Sequence, residues 1–220
     1  RLTKNVVTAD FDRSKHQVFL EDLEAAKDIK GMDICFIIDT TGSMDTYIDG
    51  VKNKAIEFSN ILKEKGIDYQ LGLIGFGDLG EKEKPKKYKW TSDVRKFQKN
   101  VMRLPRTYGG DIPESSLEAL VEGIGWLEKR TLKNDHKVFV LITDAPPHLP
   151  TYYGQKLEDI LDLLDRSGAI CYVVAKKDKE SVMAYSPLTK DGGYYYSMEE
   201  PFHNILDQIA YKLAELIRVE

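Results

Sequence analysis

Three side chains of one short segment carry oxygen atoms at a spacing that suits a hard metal ion. Asp39, Thr41 and Ser43 alternate along the chain, and Gly42 lets the backbone curl tightly around a small sphere. Mg²⁺ prefers octahedral oxygen donors and usually keeps some of its waters, so hydroxyls, one or two carboxylates and an open position suit it. No His or Cys lies close to this segment, which disfavours softer metals. The spacing therefore predicts a divalent-cation site for Mg²⁺, with Mn²⁺ or Ca²⁺ as alternatives.

Two further segments supply oxygen donors near the ends of predicted elements. Asp144 directly follows the apolar run 137–143, whereas Asp111 and Glu114 precede an amphipathic segment. Because Asp39 also directly follows a buried run, the two aspartates should lie side by side at one sheet edge. Two carboxylates are costly to keep there without a cation.

Helix capping is the alternative explanation for each of these residues taken alone. Asp39 or Ser43 could cap a helix that begins near Asp45, and Asp144 could cap the helix that follows it. The occurrence of all three segments together favours an ion over three separate caps.

The elements that would position these residues alternate between short β-rich runs and longer segments of helical period. Two of the runs lack polar alternation, which predicts central strands covered on both faces. The predicted strands are 33–38, 69–76, 137–143, 169–175 and 194–196, with a weaker edge strand at 86–90. Helices are predicted with apolar faces over 48–62 and 117–127, and over 94–103, 153–166 and the segment from Pro201. This order predicts an α/β fold around a largely parallel sheet.

The chain divides into an N-terminal extension and one domain. Residues 1–31 fit the alternation less well, although Ser14 followed by Phe19, Leu23 and Ala26 predicts a helix there. Residues 32–220 form the predicted domain. The chain begins without Met, which favours a piece of a larger protein or assembly.

Composition excludes several classes of function. Of the 220 residues, 42% are hydrophobic, which is enough for one good-sized core, and the formal net charge of −4 gives no field to attract nucleic acid. No apolar run could span a bilayer. Cys35 and Cys171 lie in apolar runs and are predicted to be buried free thiols; with no Asn-x-Ser/Thr acceptor, this favours an intracellular site, although the compartment stays open.

The chain resembles a von Willebrand factor A (VWA) domain from about Met32 to its C-terminus. The resemblance rests on runs 33–44, 69–78, 109–114 and 140–144. It implies a Rossmann-like three-layer sandwich with helices on both faces and one antiparallel edge strand. It also implies a metal-ion-dependent adhesion site (MIDAS), a protein-binding site whose cation accepts an acidic side chain of a partner protein.

The resemblance also implies a ligand set. Asp39, Thr41 and Ser43 match the family's Asp-x-Ser-x-Ser loop, and Asp144 matches an aspartate that reaches the ion through water. In the third loop Pro113 replaces a common Thr, and the Asp-x-Pro-Glu run resembles the integrin β-subunit version. The third-loop ligand is therefore expected to be Glu114 or Asp111.

The same residues allow other interpretations. The Asp-x-Thr-Gly-Ser run also resembles the aspartyl-phosphate loop of haloacid-dehalogenase-like phosphotransferases, in which Asp39 would be the nucleophile, but run 109–114 has no role there. A purely structural domain without an ion is a third class. Run 75–80 matches GxGxxG, although no helix follows it to bind a pyrophosphate, and close strand packing is expected instead. His148 is expected in a surface loop. The predicted function is a cation-dependent interaction module and not an enzyme.

Overall fold

A six-stranded mixed sheet forms the centre of the protein. The computed structural model describes residues 31–109, 112–130, 134 and 136–216. The strands are β1 (Gly31–Asp39), β2 (Asp68–Phe76), β3 (Lys86–Thr91), β4 (His136–Ile142), β5 (Ala169–Ala175) and β6 (Tyr194–Ser197). Their order is β3-β2-β1-β4-β5-β6, and only the β2–β3 pairing is antiparallel among the described strands. This confirms the predicted fold class and its antiparallel edge strand.

Helices cover both faces of the sheet. They are α1 (Asp45–Glu64), α2 (Val94–Val101), α3 (Ser116–Glu128), α4 (Leu157–Ser167), α5 (Lys179–Tyr185) and α6 (Phe202–Leu216). Helices α1, α2 and α6 pack on one face, and α3, α4 and α5 pack on the other. No helix in the described part of the chain is long and apolar enough to cross a membrane.

Successive residues of the central strands enter opposite cores. In β1, Phe36 and Ile38 join the core beneath α1, whereas Cys35 and Ile37 join the core beneath α3. This follows from the two-residue period of a strand, and it explains why the runs are apolar throughout. Cys35 and Cys171 are both free and buried, as predicted.

Local features account for the differences from the predicted elements. Helix α4 begins at Leu157 and not near Tyr153, because Gly154 adopts φ +76° in a turn in which its N–H donates to the Thr151 carbonyl. Helix α5, which Asp178 caps through the N–H of Ser181, was not predicted because seven residues give too short a periodic signal. The predicted N-terminal helix lies outside the described residues.

The strand order places the candidate residues together. From β1 the chain moves to β2 and β3 on one side, and then returns to β4 on the other side of β1. The order therefore reverses between β1 and β4, where open α/β sheets form a crevice at the carboxyl ends of their strands. The loops after β1 and β4 both lead into this crevice.

A second polar cluster lies at the opposite end of β1. Asp33 is fully buried, and one of its oxygens lies 3.0 Å from Nη1 of Arg130, whose guanidinium packs over the Trp90 ring. Trp90 also contacts Trp126, with ring centroids 4.9 Å apart. Burial raises the pKa of Asp33 although Arg130 opposes the shift. The ion pair joins β1 to the segment that follows α3, and the contacts of Trp90 tie the edge strand β3 to Trp126 of α3 and to Arg130.

Removing the aromatic side chain of Phe36 should measure how far the stability of the protein depends on the core beneath α1. Phe36 is buried, with ring centroids 5.6 Å from Phe58 and 5.3 Å from Phe97. Phe36→Ala should lower the free energy of unfolding by about 3 to 5 kcal/mol, because it removes apolar contacts and leaves a cavity. Denaturant titration should show this loss, whereas Ile56→Ala on the exposed face of α1 should change stability by under about 0.5 kcal/mol. Equal losses for both variants would contradict the assignment of the core.

Candidate metal centre

Asp39 lies fully buried at the end of β1, and hydroxyl and amide groups hold both of its carboxylate oxygens. Oδ1 accepts hydrogen bonds from the Thr41 N–H at 2.9 Å and the Thr41 hydroxyl at 2.8 Å. Oδ2 accepts a hydrogen bond from the Thr143 hydroxyl at 2.8 Å. Burial raises the pKa of Asp39, these hydrogen bonds oppose the shift, and the charge of Asp144 adds to it.

These contacts differ from those expected for helix caps. Thr41 and Met44 are the N-cap residues of the short 3₁₀ turn Gly42–Met44 and of helix α1 that follows it, and neither makes a capping hydrogen bond through its side chain. Asp144 pairs with Lys176, and the next helix begins far along the chain at Leu157. The capping explanation is therefore wrong for Asp39, Ser43 and Asp144.

The loop after β1 is fixed from its other side by β2 and by the loop after α2. The Thr40 N–H and hydroxyl both donate to the Phe76 carbonyl, at 2.8 and 2.7 Å. The Thr40 carbonyl accepts a hydrogen bond from the Thr107 N–H at 3.0 Å. Gly75 permits this approach, because a Cβ there would lie 3.0 Å from the Thr40 methyl group and 2.5 Å from Leu104. The GxGxxG run thus serves close packing, as expected.

Glu114 brings a third carboxylate close to those of Asp39 and Asp144. Its N–H donates to the Pro146 carbonyl at 3.0 Å, and its own carbonyl accepts from the His148 N–H at 3.2 Å. These bonds form a short parallel bridge between the loop before α3 and the loop after β4. The side chain lies against Gly109, which has φ +57° and where a Cβ would lie 2.5 Å from Glu114 Oε1. The chain therefore makes room for this carboxylate at Gly109.

The charge of Glu114 is poorly compensated. Its Oε2 atom is buried and has no hydrogen-bond partner among the described residues. Burial raises the pKa of Glu114 to about 8, and the nearby carboxylates of Asp39, Asp78, Glu83 and Asp144 add to the shift. A buried polar atom without a partner is rare in native proteins and calls for an explanation.

The three loops enclose an open cavity of about 370 Å³. Its lining includes the predicted donors Thr41, Ser43, Glu114 and Asp144, and the Thr41 and Ser43 hydroxyls lie 3.4 Å apart. Lys176, which directly follows β5, also lines it and places Nζ 3.1 Å from Asp144 Oδ2. The structure therefore brings together five of the six predicted site residues, including the buried Asp39, whereas Asp111 lies outside the described residues.

A hydrogen-bonded group behind Glu114 supports the third loop. Asp78 is buried, and its Oδ1 atom accepts hydrogen bonds from the Gly80 N–H and from the Ser115 hydroxyl, at 3.0 and 3.1 Å. His148 Nε2 lies 3.2 Å from the same oxygen, and its ring packs against Tyr152. The expectation of a surface-loop histidine was therefore wrong, because this side chain is largely enclosed and braces the loop after β4.

The donors present fit a hard divalent cation. Hydroxyl and carboxylate oxygens line the cavity, and the buried Glu114 Oε2 atom accepts no hydrogen bond from the described residues. Within the described ranges, no group of three or more His, Cys, Asp or Glu side chains forms a metal-binding cluster. A site here would therefore combine Thr41 and Ser43 hydroxyls with carboxylates.

Sequence reasoning missed two residues that matter to the site. Thr143 is the polar end of an apolar run and holds Asp39 in place. Lys176 follows β5 just as Asp144 follows the β4 run, so the same strand-end rule identifies it. Lys176 was missed because only oxygen donors were considered as site residues, and its side chain carries an ammonium group.

The chain resembles one known protein in sequence and another in fold. Over 59% of its length the chain is 27% identical to the alpha-protein kinase vwkA of Dictyostelium discoideum, and it spans 23% of that protein. Two crystal structures of the pilus adhesin SpaC from Lactobacillus rhamnosus GG, one in an open conformation, superpose with TM-scores of 0.62 and 0.61. Their sequence identities are 17% and 16% over 86% of this chain, which spans 30% and 31% of theirs. The likeness to SpaC therefore concerns the fold alone.

The family model for the von Willebrand factor A domain matches residues 33–182, which is more than half of the chain. Such domains generally serve in adhesion or protein interaction. The matched region contains most of β1, all of β2 to β5 and all three loops of the candidate site. The chain therefore belongs to the von Willebrand factor A domain family.

Proposed function

We propose that the protein is a cation-dependent interaction module whose ion, Mg²⁺ or the similar Mn²⁺ or Ca²⁺, accepts an acidic side chain from a partner protein. The observation that carries this proposal is the buried Glu114 Oε2 atom, which lacks a hydrogen-bond partner within the described ranges. A cation beside it would offset the repulsion among the carboxylates of Glu114, Asp39 and Asp144.

The ligands we assign are Asp39, Thr41, Ser43, Glu114 and Asp144, with Asp111 as the alternative in the third loop. Thr41 and Thr143 orient Asp39, and the bridge to Pro146 and His148 holds Glu114 in place. When bound, the ion supplies a positive centre that attracts an anionic ligand group.

The rim of the cavity favours a protein partner. Tyr108 and Ile112 both line the cavity and are 96% and 73% exposed. Large apolar side chains at a polar cavity are typical of binding surfaces for macromolecules. The carboxylates beside them disfavour the phosphate backbone of nucleic acid, because like charges repel.

The alternative as a phosphotransferase fits the site less well. Asp39 is fully buried and both of its oxygens accept hydrogen bonds, whereas a nucleophile needs an oxygen that the substrate can reach. Lys176 could steady a phosphoryl group, but its ammonium pairs with Asp144. The alpha-protein kinase relative matches this chain over 23% of its own length, which does not support extending its activity to this chain.

Binding of a divalent cation should stabilise the folded protein, because the ion binds the native loops and not the unfolded chain. A hundredfold excess of Mg²⁺ over its dissociation constant should contribute about 2.7 kcal/mol, or roughly 5 to 10 °C in melting temperature. Asp39→Asn and Ser43→Ala should remove most of this gain, whereas Ser92→Ala on the exposed surface should keep it. Equal melting temperatures in EDTA and in excess Mg²⁺ would favour a structural domain without an ion.

Glu114→Gln should have opposite effects with and without the ion. In EDTA at neutral pH the variant should be more stable by about 1 kcal/mol, or about 2 to 4 °C, because Gln needs no proton, whereas the folded wild-type protein must either bind a proton at Glu114 or keep a buried charge there. The raised pKa means that the folded state binds a proton that the unfolded state releases between pH 4.5 and about 8. This contribution of Glu114 is present at low pH and lost as pH rises, so the variant's advantage should be larger at alkaline pH.

In excess Mg²⁺ the same variant should lose most of the stabilisation that the wild-type protein gains. Glu122→Gln is the matched control, since that carboxylate lies on the surface of α3 and pairs with Lys87 at 2.9 Å. Thermal melts of the three proteins provide the measurement. If Glu114→Gln keeps the full Mg²⁺ gain, the third-loop ligand is Asp111 or water.

Phosphoryl transfer can be tested directly with acetyl phosphate and Mg²⁺. An interaction module should show no turnover and no mass increase on the peptide that contains Asp39, because this carboxylate is enclosed. Intact-protein and peptide mass spectrometry provide the measurement, and Asp39→Asn serves as the unreactive control. A phosphate adduct on Asp39 would overturn the proposed function in favour of an enzyme.

A further inference from the structure

Lys176 is held at the candidate site by its backbone, whereas its side chain is exposed. Its carbonyl accepts a hydrogen bond from the Tyr195 hydroxyl, and the preceding Ala175 carbonyl accepts one from the Met198 N–H at 3.0 Å. The side chain is 53% exposed, and within the described ranges its ammonium contacts the Asp144 carboxylate. The lysine is thus anchored at its base and able to move at its tip.

The ammonium of Lys176 compensates part of the negative charge in the cavity. Of the described residues that line it, Lys176 is the one basic side chain, and Glu114 and Asp144 are the acidic ones. Its partner Asp144 is 14% exposed, so the pair is only partly screened by water. Lys176 therefore acts as an internal counter-ion for Asp144 in the structure described.

Lys176 also lies where this cavity meets a second cavity of about 370 Å³. The two cavities share Ile112, Asp144 and Lys176 in their linings. An extended segment of a partner that occupies both cavities would therefore contact the residues that they share, Lys176 among them. Because Lys176 lines both cavities and its side chain is half exposed, its ammonium is available to a ligand carboxylate near their junction.

We propose that Lys176 is an exchangeable counter-ion that also selects the partner, an inference that rests on the proposed function. Without an ion, Lys176 neutralises Asp144. When Asp144 faces a bound divalent cation instead, its pull on the ammonium weakens, and Lys176 turns towards the acidic side chain of the partner. Lys176 thus competes with the cation for Asp144 and cooperates with it in binding the carboxylate.

If Lys176 has both roles, replacing it should change the affinity for the cation and the affinity for the carboxylate in opposite directions. Lys176→Ala should tighten Mn²⁺ binding by about 2- to 5-fold, in the range expected for a partly exposed ion pair. The same variant should weaken binding of a carboxylate to the Mn²⁺-loaded protein by a similar factor. Lys176→Arg should keep the carboxylate affinity nearer to that of the wild type, and Lys177→Ala is the matched control because it removes an equal charge from a neighbouring exposed position.

Calorimetric titration with Mn²⁺ measures the first effect in the full chain. For the second, water proton relaxation of the Mn²⁺-loaded protein is followed during titration with N-acetyl-glutamate amide, which displaces ion-bound water. N-acetyl-glutamine amide is the control probe. Thermal melts in EDTA verify that each variant is folded, and Lys176→Gln provides a second neutral variant if the alanine variant is not.

The outcomes separate this inference from the proposed function. If wild-type protein binds Mn²⁺ and the glutamate probe but Lys176→Ala and Lys177→Ala behave alike, Lys176 is a bystander and the proposed function stands. Weaker Mn²⁺ binding by Lys176→Ala would also overturn the inference, since it would make the lysine a support for the ion site. If wild-type protein does not bind Mn²⁺, both the proposed function and the role of Lys176 fail.

Discussion

The concentration of negative charge at the carboxyl edge of the sheet is the constraint on which the site depends. Asp39 is fully buried at the end of the central strand, and its partners are the hydroxyls of Thr41 and Thr143 and one N–H group. Glu114 then adds a second enclosed carboxylate with an unpartnered oxygen among the described residues. Neutral donors reduce the cost of burying such charges but do not cancel the repulsion between them. A cation is the simplest group that would do so.

The backbone is arranged to keep these charges close despite their repulsion. Thr40 is hydrogen-bonded to Phe76 at the end of β2 and to Thr107, and the backbone of Glu114 is hydrogen-bonded to the loop after β4. The Asp78 carboxylate accepts a hydrogen bond from the Ser115 hydroxyl and contacts the His148 ring. Each loop that carries a donor is thus joined to another by hydrogen bonds, so the loops are set in place before any ligand arrives. Such preorganisation lowers the cost of binding.

The sequence alone predicted the fold and four of the side chains that line the cavity, because both predictions depend on strong local signals. Buried runs without polar alternation indicated central parallel strands, and an Asp at the end of a run indicated a position at the sheet edge. The sequence did not indicate that Thr143 would hold Asp39 or that Lys176 would reach Asp144, because these contacts join different strands and depend on register. The enclosure of His148 was missed for a similar reason, since Asp78 lies 70 residues away along the chain. Helix α5 was missed because it is short.

The two tryptophans of the chain lie together beside Arg130, on the flank of the sheet formed by β3 and α3. Trp90 packs over Gly72, at the middle of β2 and away from the carboxyl end at Phe76. Both indoles share the same surroundings, and those surroundings exist only while the edge strand is attached to the sheet. The tryptophan fluorescence of the protein therefore reports whether β3 is attached to the sheet. Because several residues of strand separate Trp90 from the carboxylates, binding at the carboxylates should leave this signal unchanged.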